Sequence, residues 1–312
     1  HMWKGKDPRI PLPLILGHEG VGVVEDIEGK KEDILGERLY AGDLIIWDRG
    51  LTCGNCYFCT IKKEPSLCPN RKVYGISRDG CYATHLVLLK ETKIIKIEGK
   101  VDAAVLVPAS CSGATTAHTI ELCDICQGDT VVIQGPGPMG IFALAFAREK
   151  GADKIIVMGT KMDKERLKLC LEFGASETLN IDETSFEERL SYIKEKTNGL
   201  GAEIVIDCTG SPHAIKEGLK MTAPAGTYTL PGVAIPIGDI PISFYEDVAR
   251  KNVRIQGVWV SDTSHLYQAV RLVLSEKYPF EKLITHKFRL EEATEALKRV
   301  DARRAMKAVL MP

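Results

Sequence analysis

The stretch "TVVIQGPGPMGIFALAFAREKG" constrains the fold more than any other. Val131 to Ile133 form an apolar strand-like run. Glycines follow at 135, 137 and 140, with Pro138 and Met139 inside the spacing, and then a helix-forming segment. In such a turn the first glycine bends the chain, the second lets backbone approach a pyrophosphate, and the third lets the helix pack on the strand. The helix N-terminus then faces the phosphates. The spacing alone is weak, but here it sits inside a longer alternation. "KIIVMG", "DKERLKLCLEFG", "SFEERLSYIKEKTNG", "AEIVIDCTG", "HAIKEGLKMTAPAG" and "TYTLPG" continue it. Strands alternating with helices predict a doubly wound α/β domain with a parallel sheet.

The end of the second strand of that domain bears on which dinucleotide binds. A carboxylate there would hold the ribose hydroxyls of NAD. The sequence places Gly159, Thr160 and Lys161 at that point, and Asp153 comes too early. This leans toward the 2′-phosphate of NADP, with a merely solvated Lys161 as the other reading.

From Ile15 to Lys100 the pattern differs. Short β-like runs such as "GVGVVEDI", "DLIIWD", "YATHLVLL" and "TKIIKI" lie between glycines, and predict an antiparallel, partly barrel-like domain. Within it "CGNCYFCTIKKEPSLC" brings Cys53, Cys56, Cys59 and Cys68 into one short lobe. Four thiolates with no open position make a structural zinc site. The remaining thiols read as packing: the pair Cys123 and Cys126 in a helix-like run, and Cys81, Cys170 and Cys208 in core or edge positions. Near the start, His18 and Glu19 are bracketed by Gly17 and Gly20. The pair is either a charged surface turn or a metal ligand with a carboxylate beside it. The chain is helical from Trp259 and ends on a strand-like "RRAMKAVLMP" that returns to the first domain. The expected division is therefore 1–110, 111–258 and 259–312.

The 312 residues carry a formal net charge of -1, without the basic surplus of a nucleic-acid or anionic-membrane binder. No apolar run has the length of a membrane span. The start lacks a signal-peptide pattern, and clustered cysteines in a chain this long read as reduced thiols plus metal. A cytoplasmic location follows as an expectation.

"GHEGVG", the four-cysteine lobe, Gly42-Asp43, "CSGAT", "VVIQGPGPMG" and "DCTG" occur in the order of the zinc-dependent medium-chain dehydrogenase/reductase family, which the chain resembles over essentially its whole length. That family includes alcohol, polyol and threonine dehydrogenases. The resemblance implies a GroES-like β domain and a Rossmann domain. It makes His18 a ligand of a catalytic zinc, with Glu19 beside the metal. "CSGAT" matches the alcohol-dehydrogenase form, so Cys111 becomes a second ligand, where polyol branches often carry a carboxylate. It implies that Thr115 lies near the nicotinamide, with Val233 and Trp259 as further contacts. Gly135, Gly137, Pro138, Met139, Gly140, Gly159, Thr160, Lys161 and Thr209 are the implied dinucleotide contacts. Lys307 falls where a phosphate-facing base often stands, with a solvated lysine as the alternative. Trp47 and Trp3 either line the substrate pocket or pack in the core. The family's other zinc cysteine belongs to a C-G-[ST]-D-x-H motif upstream. His1 is then the proton-relay histidine of that motif, or else a cloning remnant, and the opening strands and one ligand are expected to precede the sequence.

The activity implied is hydride transfer between a small-molecule alcohol, secondary or polyol, and NAD or NADP. Zinc supplies Lewis acidity and the nicotinamide carries the redox chemistry. The competing reading is a truncated, inactive protein that binds zinc and nucleotide. A zinc-free reductase would lack the His18 motif and the cysteine lobe. A zinc-ribbon nucleic-acid binder conflicts with the neutral charge. "NVRIQGVWV" near the sheet edge predicts pairing across a two-fold, hence a homodimer or homotetramer. His85, His118, His213, His265 and His286 belong to no motif and read as surface or core residues, with a binding cleft as the other reading for His118.

Overall fold

The structure, a computed structural model, describes residues 2–5, 7 and 10–312. His1, the expected relay residue, lies outside the described residues. The chain divides into two compact units, His1–Ala114 with Val260–Pro312, and Thr115–Trp259. The first boundary falls a few residues later than expected, between Ala114 and Thr115 within the helix that begins at Ser112.

Unit 1 begins with short strands, β1 (Val21–Val23), β2 (Leu44–Trp47), β3 (Gly50–Leu51), β4 (Lys72–Val73) and β5 (Ile94–Lys96). They form an antiparallel sheet in the order β1-β2-β5 and a separate β3-β4 pair. Leu39, Ile45, Trp47, Leu51, Tyr74 and Ile94 fill the core between them. Trp47 is thus a core residue, and Trp3 is partly exposed under the Lys4 ammonium. "YATHLVLL" is not a strand: the Leu89 N–H donates to the Tyr74 hydroxyl instead of a ladder carbonyl. The helix-like run after Lys100 splits into α1 (Ala103–Leu106), a 3-10 turn (Val107–Ser110) and α2 (Ser112–Cys123). Pro108 sits in the 3-10 turn, where its missing N–H breaks the α-ladder.

Unit 2 alternates as expected: β6 (Thr130–Gln134), α3 (Pro138–Glu149), β7 (Lys154–Gly159), α4 (Lys164–Glu172), β8 (Glu177–Asn180), α5 (Phe186–Lys196), β9 (Ala202–Asp207), α6 (Pro212–Met221), β10 (Thr222–Leu230) and β11 (Arg254–Gly257). The sheet order is β11-β10-β9-β6-β7-β8, all parallel. Strand order reverses between β6 and β9, which is where dinucleotides bind in such sheets. β8, "ETLN", carries no apolar run and is held by its register with β7. Val132, Ile156, Val205 and Tyr228 are core residues between sheet and helices.

The chain then returns to unit 1 through α7 (Thr263–Leu274), β12 (Ile284–Arg289), α8 (Ala293–Asp301) and β13 (Lys307–Met311). β12 was not expected. Its alternating exposure marks a strand, paired in parallel with β13.

Candidate active site

His18 sits on a loop shaped by Gly17. At φ +99° this residue is in the left-handed region, and its carbonyl accepts the Cys81 N–H at 2.8 Å. A Cβ there would stand 2.5 Å from the Tyr82 ring, so the bracket around His18-Glu19 is needed for close packing. Cys111 follows the 3-10 turn, immediately before α2. Its thiol accepts from Arg49 Nη1 at 2.8 Å, and the His18 imidazole lies near enough to favour the thiolate. Burial pushes the thiol up, but the Arg49 guanidinium and His18 outweigh it and bring Cys111 down to about 7. A thiol poised in this way is one that readily supplies a thiolate to a metal.

Glu19 contacts Lys307 through a hydrogen-bonded ion pair. Burial works against its charge, yet Lys307, His18 and Arg49 together hold the carboxyl below its usual range. Lys307, expected as a phosphate-facing base or a solvated lysine, is here part of an ion pair. Its ammonium is engaged by a carboxylate of unit 1, because β13 brings it to the His18 loop. Glu19 is correspondingly drawn toward Lys307, and His18, Glu19 and Cys111 do not form a tight cluster of three ligand atoms. The donor types, imidazole, thiolate and carboxylate, fit zinc.

The cysteine lobe is tighter. Cys53, Cys56, Cys59 and Cys68 have all four sulfurs within 4.8 Å of one another. Sγ–Sγ separations of 3.5 Å (Cys56–Cys59), 3.9 Å (Cys56–Cys68) and 3.5 Å (Cys53–Cys68) bracket the edge of a tetrahedron about 3.8 Å long that Zn–S bonds of about 2.3 Å define. The Asn55 backbone N–H holds Cys53 down to about 6, while burial raises Cys68 to about 11. The lobe is built on irregular turns, Phe58–Lys62 and Pro65–Leu67, with little apolar burial of its own, so a metal suits it as a clasp. Cys81, Cys123 and Cys170 are instead pushed up to about 12 by burial, as packing thiols are.

In unit 2, Gly135 ends β6 at φ +103°. A Cβ on Gly140 would stand 1.9 Å from the Gly135 carbonyl, whereas one on Gly137 would meet nothing within 4 Å. Helix and turn are therefore clamped at Gly140, and the backbone at Gly137, the N-cap of α3, is open to a ligand. Pro138 and Met139 form the first helical residues, and the Met139 carbonyl accepts from the Thr116 hydroxyl at 3.2 Å. Thr209 packs beside Gly135 from the end of β9, and its hydroxyl donates to Asp207 at 2.6 Å. Gly159 abuts Pro136 at the end of β7. The Thr160 hydroxyl donates to Asp163 at 2.7 Å, and the Lys161 N–H to Asp182 at 2.8 Å. Thr115 is buried in α2, Val233 is half-buried after β10, and Trp259 is 42% exposed.

Sequence reasoning missed Arg49 altogether. Only its place shortly before the cysteine lobe could have drawn attention to it. The motif-free histidines have local duties: His265 joins the Asp262 cap of α7, and His286 stacks on Phe288.

Comparison with known proteins agrees with both units. Residues 1–99 match the alcohol dehydrogenase GroES-like domain, and residues 138–275 match the zinc-binding dehydrogenase family. The chain is 31% identical to 5-exo-hydroxycamphor dehydrogenase of Pseudomonas putida, over 99% of this chain and 87% of that protein. It is 30% identical to sorbitol dehydrogenase of Halalkalibacterium halodurans, over 100% and 87%. The crystal structure of an alcohol dehydrogenase from Thermotoga maritima superposes with a TM-score of 0.96 at 46% identity, covering 100% of this chain and 87% of that one. The chain belongs to the zinc-dependent medium-chain dehydrogenase family, and is an oxidoreductase that moves a hydride between an alcohol and NAD(P).

Proposed function

We propose that His18 and Cys111 hold the zinc at which the alcohol reacts, that Glu19 stands by as an exchangeable carboxylate, and that Cys53, Cys56, Cys59 and Cys68 hold a second, structural zinc. The observation that carries this reading is the Cys111 thiol held at 2.8 Å from the Arg49 guanidinium, with the His18 imidazole near enough to favour its thiolate, groups brought together from distant parts of unit 1. When bound there, zinc supplies the Lewis acidity that eases loss of the alcohol proton, and the nicotinamide accepts the hydride. The protein's own residues do the rest. Arg49 and His18 keep Cys111 in its ligating form. Lys307 offsets the charge of Glu19 and fixes its orientation. Gly137 and the N-terminus of α3 take the pyrophosphate, with Gly135, Gly140, Pro138, Met139 and Thr209 shaping that turn. Thr115, Val233 and Trp259 are assigned to the nicotinamide, and Gly159, Thr160 and Lys161 to the adenosine ribose.

The preference between NAD and NADP rests on Lys161. No carboxylate projects from Gly159 or Thr160, which favours a 2′-phosphate, while the Thr160 hydroxyl is already donated to Asp163. A homodimer or homotetramer built on the β11 edge, and a cytoplasmic location, complete the proposal. The test is a scan of secondary alcohols and polyols with both dinucleotides, repeated with Cys111→Ala and His18→Ala. The reading expects reduction of NAD(P) by the unaltered protein and a loss of about 100-fold or more in either variant, since each removes a zinc ligand. Equal rates in all three proteins would refute it.

A further inference from the structure

The segment of unit 1 that leads into His18 forms one side of a cavity of about 520 Å³, lined by none of the residues assigned to metal or dinucleotide. Pro13, Leu14, Ile15, Leu86 and Val87 give it apolar walls, and Arg78 lines it from the turn after β4. Both segments are fixed by backbone bonds. Arg78 donates its N–H to the Val73 carbonyl at 3.2 Å, and its own carbonyl accepts the Gly75 N–H at 2.7 Å. The Ile15 and Leu16 carbonyls accept from the Gly80 and Tyr82 N–H groups, each at 2.9 Å. The volume suits a small organic molecule, and the walls are in place before one enters.

The charges in this lining are unequally satisfied. Asp79 Oδ1 accepts the Ile15 N–H at 3.0 Å. His85 is bonded to Glu25 at 3.0 Å and to the Thr84 hydroxyl at 3.1 Å. The Arg78 guanidinium has no carboxylate and no hydrogen-bond acceptor among the described residues, and its Nε is buried. Arg189 is the contrast. Its Nε is also unmet, but its Nη groups hold Glu217 and the Ile181 and Thr184 carbonyls. A partly buried cation without an anion is costly. The apolar walls are bare as well, with Val87 83% and Ile15 44% exposed. A free cation and uncovered apolar side chains in one cavity are both satisfied by a single ligand that carries an anion and an apolar body.

We propose that this cavity binds a small carboxylate with an apolar chain, its carboxylate on Arg78 and its chain against Leu14, Leu86 and Val87. A guanidinium and a carboxylate match through two parallel hydrogen bonds, and the chain adds burial of apolar surface. A cationic ligand is disfavoured because Asp79 is already engaged while Arg78 is not. The site stands apart from the zinc and dinucleotide assignments, since Arg78 takes part in neither.

The test is calorimetry on the zinc-loaded protein with three probes that share one chain: octanoate, methyl octanoate and octyltrimethylammonium. Octanoate should bind about 10- to 100-fold more tightly than its ester, the worth of a charged hydrogen bond, and the ammonium no better than the ester. Arg78→Gln should bring octanoate to the level of the ester, and Arg78→Lys should recover part of the difference. Val87→Asp, a change at an exposed position, should weaken octanoate more than the ester by setting a like charge in the wall. Zinc content per chain should be unchanged in all three variants. Equal binding of octanoate and ester by the unaltered protein overturns the proposal. So does a preference for octanoate that survives Arg78→Gln, which would place the carboxylate on a metal. An equal loss of both probes in Arg78→Gln would make Arg78 structural, and tightest binding of the ammonium would make Asp79 the operative charge; either result overturns it too.

Discussion

At the scale of single residues, the site is governed by charges that sequence order hides. His18 and Cys111 drew attention in the sequence because each stands in a motif, and their proposed roles follow from those motifs. Arg49 was not singled out, and the partner of Lys307 was not foreseen, because both contacts are chosen by the folded chain rather than by spacing. Arg49 reaches Cys111 across 62 positions, and Lys307 reaches Glu19 across 288. No periodicity reports such a contact. The Cys111 thiol gives a direct pH prediction. With its value lowered to about 7, the thiolate predominates above that pH and the thiol below it. In metal-free protein the rate of alkylation at Cys111 should therefore rise with pH around a midpoint near 7, read by mass spectrometry of the modified peptide. A midpoint at the ordinary thiol value would mean that Arg49 and His18 exert no such pull. Lys307→Met should weaken zinc binding at the His18 site by about 10- to 100-fold, as loss of an outer partner of a metal site commonly does. Competition with a chromophoric chelator measures this, and Lys307→Arg should restore most of the affinity.

At the scale of elements, the glycine turn and the cysteine lobe were readable because each is a local device, complete within a few residues. Their geometry follows from the chemistry they must perform. Gly140→Ala would drive a methyl group into the Gly135 carbonyl, 1.9 Å away, so α3 must shift. A destabilisation of about 1–3 kcal/mol by denaturant titration is expected, with weaker NAD(P) binding by fluorescence. Cys56→Ser should remove about one zinc per chain and expose the segment from Cys53 to Cys68 to protease, since the metal supplies folding energy that the lobe's own packing lacks. The strands β8 and β12 escaped the sequence reading for the opposite reason. "ETLN" and "ITHKFR" have weak local signatures, and only their pairing with β7 and β13 makes them strands.

At the scale of the whole molecule, the proposed reading gives the two units separate duties: metal and alcohol in one, dinucleotide in the other. The alternation of strands and helices announced the parallel sheet. The antiparallel unit was legible only as short β-like runs, because its pairings join strands far apart in sequence. Edge strand β11 leaves Ile255 and, beyond it, Trp259 partly exposed. Pairing of that edge with a second copy should give a solution mass of two or four times 34.3 kDa by light scattering. The most direct test of the account is crystallographic: anomalous scattering at the zinc edge from zinc-loaded crystals. The account predicts two peaks per chain, one inside the four-cysteine lobe and one touching both His18 and Cys111. A single peak, in the lobe alone, would contradict it.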